Sequence, residues 1–157
     1  MPAKNTIRDS RENTFYHVYN RGVEKRNIFL DDQDLNVFLK YIEEYLAPVD
    51  RISCEEILMS SKSNYFEKEL ARKKLSRKNY YGEIELHCFA LLPNHFHLLI
   101  HQKTRLLNKF MNSLGTRYGM YFNSKYERKG VLWEDVYKAV PVISDPQLLN
   151  LSRYIHL

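Results

Sequence analysis

The sequence predicts an α+β domain with a ferredoxin-like, split β-α-β fold, in which one four-stranded antiparallel sheet carries two helices on one face. Segments with strand-like and helix-like spacing follow one another in the order β-α-β-β-α-β, and one more helix comes after them. The length of 157 residues, with 44% hydrophobic and 27% charged side chains, is typical of a single soluble domain. We therefore expect one domain over residues 1–157.

The first half of this order is a strand followed by a helix. Residues 14–20 are β-branched and aromatic, which predicts a strand. Asp31 or Asp32 can cap a helix whose apolar side chains recur every three or four residues, and Pro48 ends it. Residues 49–80 are polar and rich in serine and lysine, with some apolar side chains at helical spacing. They predict an exposed, basic helical insertion.

The second half adds two strands, a long helix, a strand and a final helix. The turn-forming pair Pro93-Asn94 joins the first two strands, and Pro146 suits the first turn of the last helix. The expected bounds, in order, are 83–92, 95–101, 106–122, 136–143 and 145–155. The final helix is additional to the minimal fold, so it is available to cover the open sheet face and bring Tyr154 to the third strand.

Histidines on the three predicted strands are the first candidates for a site. His95 and His97 are two residues apart on one strand, so they project from the same face and supply half of a metal site; alternatively, they pack within a core. His17 and His87 either line that face or, as we expect, pack in the core or support a ligand. His101 lies roughly 20 Å along the strand from His95, too far to share an ion.

The charge distribution indicates a polyanionic partner. The net charge is +5, and lysine and arginine concentrate in residues 61–80 and 103–138, where tyrosine and phenylalanine are interleaved. Solvated helix faces are the alternative explanation. The candidate phosphate-binding cations are Arg21, Arg72, Lys73, Lys74, Arg77, Lys103, Arg105, Lys109, Arg117, Arg128 and Lys129.

The compartment follows from what the sequence lacks. It contains no apolar run of membrane-spanning length, and residues 1–5 do not resemble a signal peptide. Cys54 and Cys88 do not form a metal-knuckle spacing, and reduced thiols are the ordinary expectation. We expect a cytoplasmic protein with no membrane partner.

Four blocks of sequence together resemble the HUH single-tyrosine transposases, in the branch of insertion-sequence and repeat-associated tyrosine transposases. The strand with the paired histidines is the most characteristic of them. The blocks are residues 91–100 (LLPNHFHLLI), 16–22 (YHVYNRG), 121–133 (beginning YFN and ending GVLW) and 152–156 (SRYIH). The resemblance therefore spans most of the chain except residues 49–80.

The resemblance implies a reaction and its residues. Tyr154 would attack a phosphate of single-stranded DNA and form a 5′-phosphotyrosine, while His95 and His97 would hold Mg²⁺ or Mn²⁺. The family's third ligand, an Asn or Gln four residues after the tyrosine, would fall at position 158, and His156 is the nearby alternative by residue type. The resemblance also implies hairpin DNA as partner, a homodimer, and a place at the prokaryotic nucleoid.

Alternatives remain open at this point. Tyr118, Tyr121 and Tyr126, on the long helix and at its end, compete with Tyr154 as the nucleophile. The chain could also be an inactive relative that binds hairpin DNA without cutting it. A third alternative is an unrelated ferredoxin-like nucleic-acid-binding domain whose histidines are structural.

Overall fold

The framework of the structure is a four-stranded antiparallel sheet, described by a computed structural model for residues 10–156. The strands are β1 (Thr14–Arg21), β2 (Ile84–Leu92), β3 (His95–Gln102) and β4 (Lys138–Val142). They lie side by side in the order β2-β3-β1-β4, so the two central strands are β3 and β1. This confirms the predicted fold class, with β4 shorter than expected.

Two helices cover one face of this sheet and form the main core. They are α1 (Asp32–Leu46) and α4 (Leu107–Lys125), and the latter extends three residues beyond the predicted end. Phe38 of α1 and Phe110 of α4 are fully buried against alternate residues of β3, among them Leu98. Strand side chains alternate between faces, so this packing leaves His95 and His97 on the opposite face.

The final helix covers the other face. Helix α5 (Asp145–His156) places Ile155 in a small apolar cluster with Cys88 of β2, Leu99 of β3 and Val142 of β4. Tyr154, the neighbour of Ile155, remains exposed. This confirms the expectation that the final helix lies across the open sheet face.

Residues 49–80 contain two helices, α2 (Arg51–Met59) and α3 (Tyr65–Ser76). The segment returns to the sheet beside the end of α1, where the Tyr80 N–H donates to the Tyr45 carbonyl at 2.7 Å. Strand β2 then begins opposite Gln102, the last residue of β3. The α2–α3 pair therefore joins the fold at the end of the sheet away from His95.

A β-bulge in β2 changes which side chains share a face. Leu86 pairs with Ile100 and Cys88 with Leu99, so His87 is an extra residue without a partner in the register. As a result, His87 is exposed, so of the two roles favoured for it from the sequence, a core position or support of a ligand, the core position is wrong. The sequence prediction assumed that side chains alternate between the two faces of the sheet along residues 83–92, and that assumption does not reveal a bulge.

Candidate active site

His95 and His97 lie side by side on the face covered by α5. Their ring centroids are 5.1 Å apart and the rings are nearly perpendicular. The β1 residues opposite them in the register are Arg21 and Tyr19. The pair is held on a central strand, hydrogen-bonded on both sides, so its spacing is fixed by backbone rather than by flexible loops.

Each of the two rings has its Nδ1 atom engaged by a neighbour. His95 donates from Nδ1 to Oδ1 of Asn94 at 2.6 Å, and Nδ1 of His97 lies 2.8 Å from Nε2 of His17. When His97 is the donor in the second contact, both rings leave Nε2 with a lone pair. Such partners fix the tautomer of a metal-binding histidine, which makes His17 a supporting residue.

The environment keeps these rings uncharged. Burial, together with smaller contributions from the nearby His17 and His95, lowers the pKa of His97 to about 4. Burial also lowers the pKa of His95, with a contribution from the charge of Arg21, and burial lowers that of His17. Neutral imidazole is the form that binds a cation, so the pair is chemically suited to one near neutral pH.

Tyr154 reaches the pair from α5. Its ring centroid is 5.9 Å from that of His97, and the residue is 64% exposed. Ile155 packs one side of α5 against the sheet, and the neighbouring Tyr154 lies at the edge of the helix and faces solvent. The structure thus brings together the three residues that the sequence singled out as nucleophile and metal ligands.

A cavity of about 420 Å³ connects these residues to a polar surface. Arg21 lines it and forms a forked ion pair with Glu134, with Nη2 donating to Oε1 at 2.8 Å. The full lining is Tyr19, Asn20, Arg21, Lys25, Asn94, His95, His97, Glu134, Asp135, Lys138 and Tyr154. Its charged members are three cations and two carboxylates, so positive charge is in slight excess, and with the exposed hydroxyl and the imidazoles this suits a phosphate ester.

Several residues that line this site were not among the predicted site residues, and three of them matter most for its chemistry. Lys25 and Lys138 line the cavity, although neither was among the predicted cations. Tyr19 places its ring 5.8 Å from His97 and 5.0 Å from His17. Tyr19 faces His97 across the β1–β3 ladder, so the register between these two strands would have revealed it. That register cannot be inferred from the sequence of either strand alone.

The competing tyrosines lie elsewhere. The hydroxyl of Tyr118 donates to the Ile28 carbonyl at 2.6 Å, while Tyr121 and Tyr126 donate to the Asp34 carboxylate at 2.9 and 2.8 Å. Burial raises the pKa of all three hydroxyls, that of Tyr121 to about 12. Tyr121 and Tyr126 thus connect the end of α4 to α1, and Tyr118 connects α4 to the segment before α1, so the structure does not bring these hydroxyls to the histidines.

The described residues supply no third His, Cys, Asp or Glu ligand beside His95 and His97. Within residues 10–156, no His, Cys, Asp or Glu side chain forms a group of three ligands with His95 and His97. His156 is exposed on α5, two residues beyond Tyr154. The metal-binding capacity of the described site therefore rests on two imidazoles.

The predicted phosphate-binding cations are spread over the molecule, and several already have partners. Arg77 and Arg117 share the Glu44 carboxylate at 3.0 and 2.5 Å, and Lys103 donates to Glu85 at 2.7 Å. These pairs give the three cations a structural role within the fold. Those that are exposed, apart from Arg21, are Arg72, Lys73, Lys74, Lys103, Arg105, Lys109 and Lys129, whereas Arg128 is half-buried.

Comparison with known proteins gives one family match. A family model described as "Transposase IS200 like" matches residues 10–157, which include every strand and helix of the fold. No curated protein matches the sequence significantly. None of the helices within residues 10–156 is long and apolar enough to cross a membrane.

Several solved structures are similar to the chain, among them the following two. The first is the crystal structure of a protein from Deinococcus radiodurans R1 that is described as a "putative transposase". It is 13% identical to this chain with a TM-score of 0.49, over 96% of this chain and 95% of that one. The other is the REP-associated tyrosine transposase bound to a REP hairpin. It is 8% identical with a TM-score of 0.49, over 98% of this chain and 71% of that one.

Proposed function

This chain belongs to the IS200-like transposase family, and we propose that it cuts and rejoins single-stranded DNA at hairpin-containing ends through a tyrosine nucleophile. The observation that carries the proposal is the position of Tyr154, whose ring lies 5.9 Å from that of His97 at the rim of a cation-lined cavity. Family membership also removes the alternative of an unrelated nucleic-acid-binding domain. We place the protein at the prokaryotic nucleoid, where its substrate lies.

The Tyr154 hydroxyl is the nucleophile of the proposed step. Its oxygen forms a bond to phosphorus as the bond from phosphorus to the 3′ oxygen breaks, giving a 5′-phosphotyrosine and a 3′-hydroxyl. The phenol loses its proton to solvent, and the departing 3′ oxygen takes one up. One phosphoester replaces another, so the step is reversible and the same tyrosine supports joining of strands.

His95 and His97 are the proposed ligands of a divalent cation. Their ring nitrogens suit a metal, because each ring has Nδ1 engaged by a neighbour and a lowered pKa. Each Nε2 is therefore the nitrogen that would bind the metal at neutral pH. Bound there, Mg²⁺ or Mn²⁺ would polarise a phosphoryl oxygen and offset its negative charge. His17 orients His97 and is a positioning residue.

The cations of the cavity are the proposed phosphate clamp. Arg21 is held by Glu134, which fixes the direction of its guanidinium and leaves other N–H groups to donate. Lys25 and Lys138 add positive charge from a turn and from β4. Together they hold the scissile phosphate beside Tyr154, which lowers the entropic cost of attack.

A second candidate function is hairpin binding without cleavage. It is favoured by one observation: within residues 10–156 the histidine pair has no third ligand of the His, Cys, Asp or Glu type. The two candidates share the same cavity. They differ in whether a covalent intermediate forms.

The test is a covalent-adduct assay. Single strands containing a palindrome and a label 3′ of it are incubated with protein and Mn²⁺, and denaturing gels reveal label attached to protein. We expect an adduct with the wild type, and none with Tyr154→Phe or without the metal. Hairpin binding by Tyr154→Phe should remain nearly unchanged, because only one hydroxyl is lost.

Two tyrosine variants serve as controls. Tyr19→Phe removes a hydroxyl from the same cavity, and Tyr121→Phe removes the one bound to Asp34. Both should retain the adduct. An adduct that persists in Tyr154→Phe and vanishes in either control would move the nucleophile there, whereas hairpin binding with no adduct from any variant would favour the inactive binder.

A further inference from the structure

Three potential ligands meet at the end of the sheet opposite to the candidate active site. Glu85 and His101 face each other across the β2–β3 ladder, and the bulge in β2 brings His87 to the same place. One ligand atom from each residue lies within 4.8 Å of the other two. Among residues 10–156 this is the one group of three His, Cys, Asp or Glu side chains with such spacing.

The spacing matches a tetrahedral ion. Oε2 of Glu85 is 3.3 Å from Nδ1 of His101 and 3.7 Å from Nε2 of His87. Ligands at about 2.1 Å from a tetrahedral Zn²⁺ are about 3.4 Å from one another. Glu85 and His87 have side chains that are 41% and 43% exposed, so both can adjust by small rotations, whereas His101, at 13%, is the fixed member.

The partners around the cluster leave the facing atoms available. Nε2 of His101 lies 3.0 Å from Oδ1 of Asn13, an acceptor, so the ring donates there, and in its neutral form Nδ1 carries the lone pair. The other carboxylate oxygen of Glu85, Oε1, accepts from Lys103 at 2.7 Å. The ring of Phe15 packs against that of His101 with the centroids 4.6 Å apart, which restricts movement of the imidazole.

This arrangement has an electrostatic consequence. Nδ1 of His101 is 3.3 Å from Oε2 of Glu85, and the contact is a hydrogen bond when Nδ1 carries a proton. In the neutral ring with Nε2 donating to Asn13, the Nδ1 lone pair faces the carboxylate oxygen, and a cation can bind between the two atoms. His87 offers a third ligand atom at the same point. A proton shared between His101 and Glu85 needs only two such atoms, whereas a metal ion binds all three.

We propose that Glu85, His87 and His101 form a second metal site, suited to Zn²⁺ and chemically similar ions such as Co²⁺. Two imidazoles and one carboxylate are a borderline-soft donor set, which favours these ions over Mg²⁺. His101 is four residues from His97 along β3, or about 13 Å, too far to share an ion. A metal here joins the bulge of edge strand β2 to central strand β3.

The test uses the double variant His95→Ala/His97→Ala, which lacks the proposed catalytic ligands. We expect it to bind one equivalent of Co²⁺ with the intense visible absorption of a tetrahedral site, displaced by Zn²⁺. In that background, His87→Ala and Glu85→Gln should each weaken binding at least tenfold. The melting temperature of the double variant should rise with Zn²⁺, and this rise should disappear in either triple variant.

His156→Ala in the same background is the matched control, because His156 is an exposed histidine outside the cluster. It should leave Co²⁺ binding unchanged. No Co²⁺ binding by the double variant would overturn the proposal, as would binding that neither His87→Ala nor Glu85→Gln weakens. None of these measurements involves DNA cleavage, so they are independent of the function proposed for Tyr154.

Discussion

His17 contributes to the site through another residue rather than through a substrate. It is half-buried on β1, and its Nε2 contacts Nδ1 of His97 at 2.8 Å. Removing such a partner frees the ring to rotate and to change tautomer. Residues in this position commonly alter metal affinity about 10- to 100-fold.

We therefore predict that His17→Ala weakens Mn²⁺ binding at the His95/His97 pair by about tenfold and slows adduct formation at limiting metal. His17→Gln, which retains a hydrogen-bonding atom, should recover part of the loss. Calorimetric titration with Mn²⁺ measures the affinity, and saturating Mn²⁺ should restore the rate. Equal affinity in His17→Ala and the wild type would mean that the contact does not position His97.

Residue-scale prediction from the sequence succeeded where local geometry decides the outcome. Two histidines at i and i+2 on a strand must share a face, so the pairing of His95 and His97 was readable directly. Tyr19, Lys25 and Lys138 were not readable, because their positions depend on which strands pair and in what register. The bulge at His87 has the same origin.

At the scale of elements, a buried carboxylate links α1 to α4. Asp34 is fully buried and accepts hydrogen bonds from the Leu30 N–H, the Tyr121 and Tyr126 hydroxyls and the Lys125 ammonium, at 2.8 to 2.9 Å. Burial acts to raise the pKa of Asp34, but these hydrogen bonds, led by that of Lys125, outweigh it and the pKa is lowered.

The sign of this pKa shift determines a pH dependence. A carboxyl with a lowered folded-state pKa contributes stability above its unfolded pKa of about 3.8, and that contribution is lost as the pH falls through the folded pKa. We predict that Asp34→Asn lowers the unfolding free energy at pH 7 by about 2 kcal/mol, because charged hydrogen bonds are lost. It should also flatten the loss of stability below pH 4.

Urea unfolding between pH 3 and 7 measures both effects. Asp32→Asn is the control, since Asp32 is an exposed carboxylate in the first turn of the same helix. It should keep the acid sensitivity of the wild type. If Asp34→Asn is as acid-sensitive as the wild type, other carboxylates dominate the transition.

Helix α3 presents a second element-scale question, because none of its cations lines the cavity. Arg72, Lys73 and Lys74 are exposed, whereas Arg77 is paired with Glu44 and supports the fold. If α3 contacts flanking DNA, each neutralised phosphate contributes about 0.7 log units of affinity per log unit of salt. Replacing the three exposed cations by glutamine should reduce the salt slope by up to about 2.

Binding isotherms at several salt concentrations give the slope for a labelled hairpin strand with a flanking extension. The control replaces Lys40 and Arg51, two exposed cations of the acidic stretch 31–60, by glutamine. That protein should keep the wild-type slope. An unchanged slope in the α3 variant would assign this helix to a role other than DNA contact.

The elements themselves were largely predictable, and the reason is periodicity. The long apolar patterns of α1 and α4, and the strand runs of β1 and β3, are determined by burial of one face. The bounds of β4 were less certain, because residues 136–143 include only five that pair with β1. The position of α5 followed from topology, as the open sheet face needed a cover.

At the scale of the whole molecule, the sheet ends in two edge strands. β2 carries the exposed apolar side chains Phe89 and Leu92, and β4 is short and contains Pro141. Proline lacks an N–H, so β4 is poorly suited to pairing with another strand, whereas the outer edge of β2 pairs with no other strand of residues 10–156. Joining two DNA ends also needs two nucleophiles held together, and both considerations favour a homodimer.

We predict a homodimer in which each subunit uses its own tyrosine. Tyr154 lies beside His97 of the same chain, and only residues 143–144 separate β4 from α5, which restricts movement of the helix. A mixture of His95→Ala/His97→Ala protein with Tyr154→Phe protein should therefore form no adduct, although sedimentation with hairpin DNA should show two subunits per complex. Adduct formation by the mixture would demonstrate that Tyr154 acts on the partner's histidines. A complex that stays monomeric at every protein concentration would refute the dimer, and exposed Phe89 and Leu92 would then need another explanation.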